Sequence, residues 1–426
     1  MAVADTVTGL TRFPRRGACT NAERRAATWL AGELRSDRRE AIIETFWCRP
    51  NWALAHAWHA GLAVLGSLLT VASPKVGGAI IIVALLSVLC DGLLGVSLGR
   101  RLTPERASQN VVSPPPSDAP PVRLIITANY DAGRMGLVHR PWLRRPAAGL
   151  RNLLGPLSLG WLGSLVLACA WVLVTAVLRN GGSTGSTVAV LQLIPTAALV
   201  LAFALLLELG SSGFGPAAGD NATGTALAVA LARALDVAPP QRLAVEIVLQ
   251  GAGDGAMLGL SHHLGARRRE LDAGRAIVLG LGPAGAGRPR WWTSDGPLIP
   301  LRFLPRLAQL AAEADEAAHG PPADAKSEPT ARPHRGRGVS PAYPARLRSR
   351  PAITIGALDA AGIAPHSHLP TDTAENLDRI AADRLLELAL TLVDAIDADL
   401  PATAAPNPRG APGGPTTANA VTRPAQ

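Results

Sequence analysis

Four stretches of the chain are apolar over about 20 residues, the length that a helix needs to cross a hydrocarbon core of about 30 Å. They are residues 53–73, 77–98, 157–178 and 188–207. The segment PKV joins the first two and RNGGSTGST joins the last two, so the pattern predicts two transmembrane helical hairpins. A helix is the expected form in lipid because it satisfies its own backbone hydrogen bonds.

Outside the hairpins, short apolar runs alternate with stretches of helical periodicity. Three runs have the composition of buried strands, namely residues 40–46, 123–127 and 243–249. Three other stretches repeat apolar residues at helical spacing, namely residues 20–34, 222–235 and 377–396. The alternation predicts an α/β fold, in which a mostly parallel sheet lies between two layers of helices.

The hairpins interrupt this α/β domain, and the chain divides accordingly. The domain consists of residues 1–52, 99–156 and 209–398, and the hairpins consist of residues 53–98 and 157–208. Two segments rich in proline, glycine and charge are predicted to lack regular structure. They are a flexible surface loop at residues 313–350 and a disordered tail at residues 399–426.

The composition and the placement of charge favour a multi-pass protein of the cell membrane. Mean hydropathy is +0.21 and only 17% of the residues are charged. Basic residues flank the outer ends of both hairpins, namely Arg49, Arg100, Arg101, Arg106, Arg140, Arg144, Arg145 and Arg151. The hairpin turns carry only Lys75 and Arg179, so the positive-inside rule predicts that the turns lie outside and the α/β domain in the cytoplasm. The first fifty residues hold no stretch typical of a signal peptide.

The net charge of +9 bears on partners. In a soluble protein, such a charge would suggest nucleic-acid binding. Here, however, the basic stretches adjoin the apolar spans and lack interleaved aromatic residues. We therefore expect membrane lipid as a partner and no nucleic acid. The four cysteines, Cys19, Cys48, Cys90 and Cys169, show no CxxC spacing and indicate neither a disulfide framework nor a cysteine zinc site.

Three ionisable residues lie inside the predicted spans. His56 and His59 share one helical face of the first span, and Asp91 lies in the second. Such groups are candidate functional sites in a membrane. Their position near the span ends, beside Trp52 and Trp58, favours anchoring at the membrane interface instead.

Four polar segments follow one another in an order that resembles a known enzyme family. They are ITANYDAG, AAGDNATGTALAVALARAL, VEIVLQGAGDGAMLG and HSHLPTDTAENLD. With NAERRAATWLAGEL and SQNVV, they resemble the zinc exopeptidases of metallopeptidase clan MH, which include the leucyl aminopeptidase and glutamate carboxypeptidase types. GDNATGTA and DTAENLD are the most specific parts. The resemblance implies a three-layer αβα fold, two zinc ions that share one aspartate, and a glutamate as general base.

The resemblance assigns roles to four residues that match the family's pattern. It implies that Asp220 is the bridging carboxylate, and that Asp254 and His368 are further metal ligands. Asp254 stands where the family has glutamate, so its carboxylate ends one methylene short. Asp131, at the end of the H-x-D segment, takes an orienting role.

Three other positions depart from the pattern and predict an impaired site. Asn129 and Gly280 stand at two ligand positions, and Gly253 stands at that of the general base. A positioned base contributes roughly 10²- to 10⁴-fold to proton transfer. We therefore expect little or no peptidase turnover, no two-metal site, and at most one zinc on the three remaining ligands.

Each candidate also has an ordinary structural interpretation. Asp220 precedes a helix and is typical of an N-cap. His368 lies between prolines, as in an exposed loop, and Asp131 follows a strand, where aspartate often accepts hydrogen bonds in a turn. His262 and His263 fall on a predicted helix and are expected to be surface or packing residues.

The sequence thus supports one main hypothesis and two alternatives. The main one is an integral membrane protein whose degenerate aminopeptidase-like domain binds a peptide-like ligand or a partner protein. The first alternative is an active exopeptidase or amidohydrolase that uses a single metal on Asp220, Asp254 and His368. The second is a membrane scaffold or a transporter-associated subunit.

Overall fold

The computed structural model of the 426-residue chain describes residues 2–117, 119–271, 275–320 and 330–401. Within these ranges the strands are β1 Ile42–Cys48, β2 Arg106–Ser113, β3 Val122–Asn129, β4 Leu243–Gln250, β5 Ala276–Leu281, β6 Arg288–Asp295, β7 Leu301–Arg302, β8 Arg332–Arg335 and β9 Ala352–Leu358. The helices are α1 Ala2–Thr11, α2 Asn21–Ser36, α3 Trp52–Ala72, α4 Pro74–Leu94, α5 Leu98–Arg101, α6 Pro141–Leu154, α7 Trp161–Asn180, α8 Ser186–Ser211, α9 Thr223–Val237, α10 Leu258–Ala266, α11 Pro305–His319, α12 Tyr343–Leu347 and α13 Arg379–Asp399.

The strands form one mixed sheet in the order β1-β2-β4-β3-β5-β9-β6-β7, with β8 paired to β6. The four central strands β4, β3, β5 and β9 are parallel. Strands β1 and β2, and strand β6 beside β9, run antiparallel to their neighbours. The predicted α/β fold is confirmed, but the prediction of a mostly parallel sheet holds only for its centre.

One antiparallel pair follows directly from the insertion of the first helical hairpin. Strand β1 ends at Cys48, which pairs with Arg106 at the start of β2. Helices α3 and α4 run out from the sheet and back between these two strands. The chain therefore returns beside the point where it left, and the second strand runs in the opposite direction.

The sheet is covered by helices on both faces because its strands alternate their side chains. Leu124 and Ile126 of β3 pack in a core with residues of α2, α9, α11 and α13. Ile125, between them, packs on the other face with residues of α10 and α12. This division places α9 directly under the central parallel strands.

Four helices of the described chain, α3, α4, α7 and α8, are long and apolar enough to cross a membrane. They pack together around small side chains such as Ala60, Ala63 and Ala84. Helices α3 and α4 approach closely at Gly66 and Gly77, where a Cβ on Gly77 would lie 2.5 Å from the Gly66 carbonyl oxygen. Small residues at such a crossing are typical of membrane helices.

The structure corrects the prediction of a flexible loop at residues 313–350. Helix α11 continues to His319 because its apolar spacing at Leu307, Leu310, Ala311 and Ala314 extends into this segment. Strand β8 then joins the sheet, and α12 follows. Residues 321–329 lie outside the described residues, as do residues 402–426 of the predicted tail, and Asp399 still belongs to α13.

The prediction that His56 and His59 anchor the helices at the membrane interface is wrong, since both side chains are buried. His56 Nε2 lies 3.0 Å from Asp91 Oδ2, and Arg100 Nε donates to Asp91 Oδ1 at 2.6 Å. The ring nitrogens Nδ1 of the two histidines lie 3.2 Å apart. A buried polar network therefore ties α3 to α4 and to the short helix α5.

Candidate functional site

The residues singled out from the sequence gather where the central parallel strands end. Asn129 is the last residue of β3, and Asp131 follows two positions later. The loop after β4 carries Gly253 and Asp254, and the segment after β9 carries His368. Ligands of open α/β sheets bind at this carboxyl edge, so the topology itself defines a candidate site.

Asp131 fixes the backbone of the loop after β4. It is buried, and its two carboxylate oxygens accept the backbone N–H groups of Gly253 and Asp254 at 2.9 and 3.0 Å. Burial and the nearby charge of Asp254 raise the pKa of Asp131 to about 7. Because both oxygens are engaged, Asp131 holds the loop after β4 in place.

Two carboxylates lie close to the imidazole ring of His368. His368 Nε2 lies 3.4 Å from Asp220 Oδ2 and 3.8 Å from Asp254 Oδ1. Its Nδ1 lies 3.0 Å from the carbonyl oxygen of Arg134, to which it donates in the neutral form, so Nε2 is the nitrogen that faces the carboxylates. The ring also stacks on His139, with ring centroids 4.1 Å apart. His368 is therefore a positioned member of the cluster.

Asp220 does not cap the helix that follows it. It lies in a π-helical turn, Ala218–Ala222, and α9 begins without a side-chain cap. Its Oδ2 accepts a hydrogen bond from Ser367 Oγ at 2.8 Å. Asp372 holds the turn by accepting the backbone N–H of Gly219 at 2.6 Å, and burial together with the charge of Asp220 raises the pKa of Asp372 to about 7.

Glu23, which no sequence pattern assigned to the site, supports the same loop. Its carboxylate accepts the backbone N–H of Ala252 and the hydroxyl of Ser108, both at 2.8 Å. Burial and the charge of Asp131 raise the pKa of Glu23 to about 8. Thr20 and Glu23 have the spacing of a helix capping box, which explains a glutamate here without a role in the site. The position of Glu23 beside the loop after β4 depends on the fold and not on the local sequence.

The two glycines at lost positions are packed against their neighbours. A Cβ on Gly253 would lie 2.2 Å from Asn129 Cβ, and one on Gly280 would lie 2.6 Å from the backbone nitrogen of Ala342. Real Cβ atoms do not approach other atoms this closely. The space beside these two glycines is therefore occupied by Asn129 and Ala342.

The described residues do not fit a paired zinc centre. Among them, no group of three or more His, Cys, Asp or Glu side chains is arranged to hold a metal ion. Zinc in proteins takes about four N, O or S ligands at about 2.0 to 2.3 Å. Asp220, Asp254 and His368 supply three groups, and Asn129 and Gly280 supply no charged ligand.

The sheet, the site at its carboxyl edge and the order of its loops define the Zn-dependent exopeptidase fold. Three similar solved structures, all bacterial, show it. The zinc aminopeptidase BSAP from Bacillus subtilis has a TM-score of 0.53 and 12% identity over 92% of this chain and 93% of its own. A leucine aminopeptidase precursor from Bacteroides thetaiotaomicron has a TM-score of 0.51 and 12% identity, over 92% and 96%. A glutaminyl cyclase from the same species has a TM-score of 0.51 and 13% identity, over 92% and 96%.

Identities this low show a shared fold and not a shared activity. No family model matches the sequence, and no curated protein matches it. The predicted likeness to zinc exopeptidases is therefore confirmed at the level of the fold.

Proposed function

We propose that this chain is a membrane-anchored, non-hydrolysing relative of the zinc exopeptidases. It binds a ligand in the cleft at the carboxyl ends of its central parallel strands. The four apolar helices hold the domain at the membrane, with the domain on the cytoplasmic side. The observation that carries the proposal is the closure of the general-base position, where Asn129 fills the space beside Gly253.

The remaining carboxylates of the described site already face other groups of the protein. Asp131 is buried, and both its oxygens are engaged by the loop after β4. Asp254 and Asp220 both face His368. Without a carboxylate at position 253, proton transfer loses a contribution of roughly 10²- to 10⁴-fold. The pocket over the strand ends, in contrast, has a polar lining that includes Asp220, Asn221 and Asp254.

The first test compares the detergent-purified full chain with an Asp220→Ala/His368→Ala variant. We expect no hydrolysis of leucine p-nitroanilide above the level of the variant, with or without added zinc, and no effect of a chelator. We expect at most one zinc per chain by elemental analysis, lost in the variant. Hydrolysis that is abolished both by the chelator and by the double substitution would overturn the proposal.

A second test asks whether the base can be restored. Gly253→Glu should give no activity and should destabilise the fold by about 1–3 kcal/mol, because the new side chain collides with Asn129. Gly265→Glu on α10 is the matched control, since a Cβ there meets nothing within 4 Å. Unchanged thermal stability of Gly253→Glu, or any gain of chelator-sensitive turnover, contradicts the closure argument.

The convergence of Asp220, Asp254 and His368 favours one second candidate, a single-metal exopeptidase or amidohydrolase. It differs from the first in one measurable respect. Bound zinc would then be accompanied by turnover of an aminoacyl or amide substrate, and both would disappear together in the double variant.

A further inference from the structure

A large cavity opens beside the candidate site, on the side of the apolar helices. It measures about 830 Å³ and shares Asp220, Pro283 and Trp292 with the smaller pocket of about 300 Å³ over the strand ends. Cavities of roughly 300 to 1,000 Å³ are typical of small-molecule sites. Trp161 and Ser164, at the start of α7, form part of its wall. The cleft is therefore continuous from the site to the beginning of a membrane helix.

Helix α6 forms the outer wall of the cavity and has two different faces. Trp142 and Leu153 lie on one stripe and expose 65% and 84% of their surface. Arg144 and Arg151 lie on the opposite side and line the cavity. An amphipathic helix of this kind, placed just before a membrane span, lies in the interface with its apolar face in lipid.

The lining of the cavity carries an excess of positive charge, since three arginines outnumber Asp220. Arg144, Arg151 and Arg337 line it, together with His334. Arg337 is 9% exposed and is held by the carbonyl oxygens of Ser158 and Gly336. Burial and the charges of the surrounding arginines lower the pKa of His334 to about 3, so its imidazole is neutral at neutral pH.

Arg151 is the member of this cluster that lacks a partner. Its Nη2 atom is buried and makes no hydrogen bond within the described part of the chain. Burial and the charge of Arg337 lower the pKa of Arg151, and the charge of Asp359 acts in the opposite direction. A buried guanidinium N–H without an acceptor costs free energy that an anion recovers.

Apolar side chains also line the cavity. They include five leucines of α6, α7 and the segment between them, namely Leu150, Leu154, Leu157, Leu159 and Leu167. Four of them are also among the exposed large apolar residues at the outer surface of α6 and the segment that follows, and Leu167 is exposed on α7. The leucines that line the cavity are thus also exposed at the outer surface of the protein.

We propose that this cleft binds one anionic phospholipid, whose phosphate lies against Arg151 and Arg337 and whose acyl chains pass over the leucines of α6 and α7. This inference rests on the proposed function, since it names the ligand of the non-hydrolysing cleft. A soluble anion would satisfy the arginines but would leave the leucine lining unfilled. A lipid provides a phosphate for the arginines and acyl chains for the leucine lining, and it enters sideways from the membrane.

The test is native mass spectrometry of the detergent-purified full chain with dioleoylphosphatidylglycerol and, separately, dioleoylphosphatidylcholine. We expect one tightly bound phosphatidylglycerol per chain, and phosphatidylcholine bound about tenfold more weakly. Arg151→Gln should weaken phosphatidylglycerol binding about tenfold, whereas Arg151→Lys should keep most of it. Arg145→Gln is the matched control, because Arg145 is exposed on the same helix and does not line the cavity.

Besides the absence of any bound lipid, three results would overturn the inference. They are equal binding of the two lipids, an equal loss in Arg145→Gln and Arg151→Gln, and displacement of the lipid by millimolar inorganic phosphate, which would indicate a site for a soluble anion. The outcome is separate from the test of the proposed function. Chelator-sensitive hydrolysis with intact lipid binding refutes only the proposed function, and absent lipid binding without hydrolysis refutes only this inference.

Discussion

Glu23, Asp131 and Asp372 are buried carboxyl groups around the candidate site, and each has a pKa raised to about 7 or 8. A carboxyl group whose pKa is raised by folding holds its proton more tightly in the folded chain than in the unfolded one. Its contribution to stability is therefore fully present below its unfolded pKa near 4 and is lost as the pH rises through the folded pKa.

Removing one of these groups should flatten the pH dependence of stability. We expect the full chain to lose stability between pH 5 and pH 7, on the order of 1 kcal/mol per pH unit for each such group. Asp131→Asn should lose less over the same interval, although it is less stable throughout because the amide accepts only one of the two backbone N–H groups. Denaturant unfolding at pH 5, 6, 7 and 8 measures the slopes.

Asp383→Asn serves as the control, since Asp383 is exposed on α13 and remote from the loop after β4. Its slope should match that of the unmodified chain. Equal slopes for Asp131→Asn and the unmodified chain would show that Asp131 is already ionised at pH 5 in the folded protein.

At the scale of single residues, the sequence identified the loops that carry polar groups but not the supports beneath them. The structure brings carboxylate oxygens of Asp220 and Asp254 within 4 Å of the His368 ring. Glu23 lies 229 positions before Ala252, whose N–H it accepts. No local pattern signals a contact across such a separation, and the capping box gave Glu23 a sufficient local explanation.

At the scale of elements, the close approach of α3 and α4 offers a sharp comparison. A Cβ on Gly77 would lie 2.5 Å from Thr70 N and from the Gly66 carbonyl oxygen, whereas one on Gly78 would make an ordinary contact of 3.8 Å with Ala176. Gly77→Ala should therefore lower stability in detergent by about 1–3 kcal/mol. Gly78→Ala, one position along the same helix, should leave the thermal unfolding midpoint unchanged. Equal midpoints for the two variants would refute the close packing of this hairpin.

Elements with strong periodicity were predictable, and the direction of the strands was not. The four apolar helices and the central strands β3 and β4 follow from runs of apolar residues in the sequence. The antiparallel pairing of β1 with β2 depends instead on where the chain returns after α3 and α4, which periodicity does not encode. The extent of α11 beyond residue 313 was obscured by the nearby proline- and glycine-rich segment.

At the scale of the whole molecule, the position of the site relative to the membrane decides which ligands reach it. Trp52 begins α3 and lines the pocket over the strand ends, and its ring lies 4.9 Å from that of Trp161, which begins α7. Both helices thus start at the cleft. In the proposed membrane arrangement, the cleft therefore lies on the side where these two helices begin.

The distribution of arginine predicts that this side is the cytoplasm. Arg49, Arg100, Arg101 and Arg151 lie near the start of α3, the end of α4 and the start of α7, whereas the far end of α7 carries only Arg179, which donates to Gln192. The rule concerns charges close to the spans, where translocation of Lys and Arg is unfavourable. The two links between paired helices are therefore expected outside.

Cysteine labelling tests this orientation in a chain whose four native cysteines are replaced. Ser183→Cys, exposed between α7 and α8, should react with a membrane-impermeant maleimide in intact cells. Asp383→Cys, exposed on α13, should react only after the cells are broken. The reverse pattern would place the cleft outside the cell, where extracellular peptides reach it. It would then strengthen the single-metal peptidase over the non-hydrolysing binder, because the cytoplasmic placement is part of that proposal.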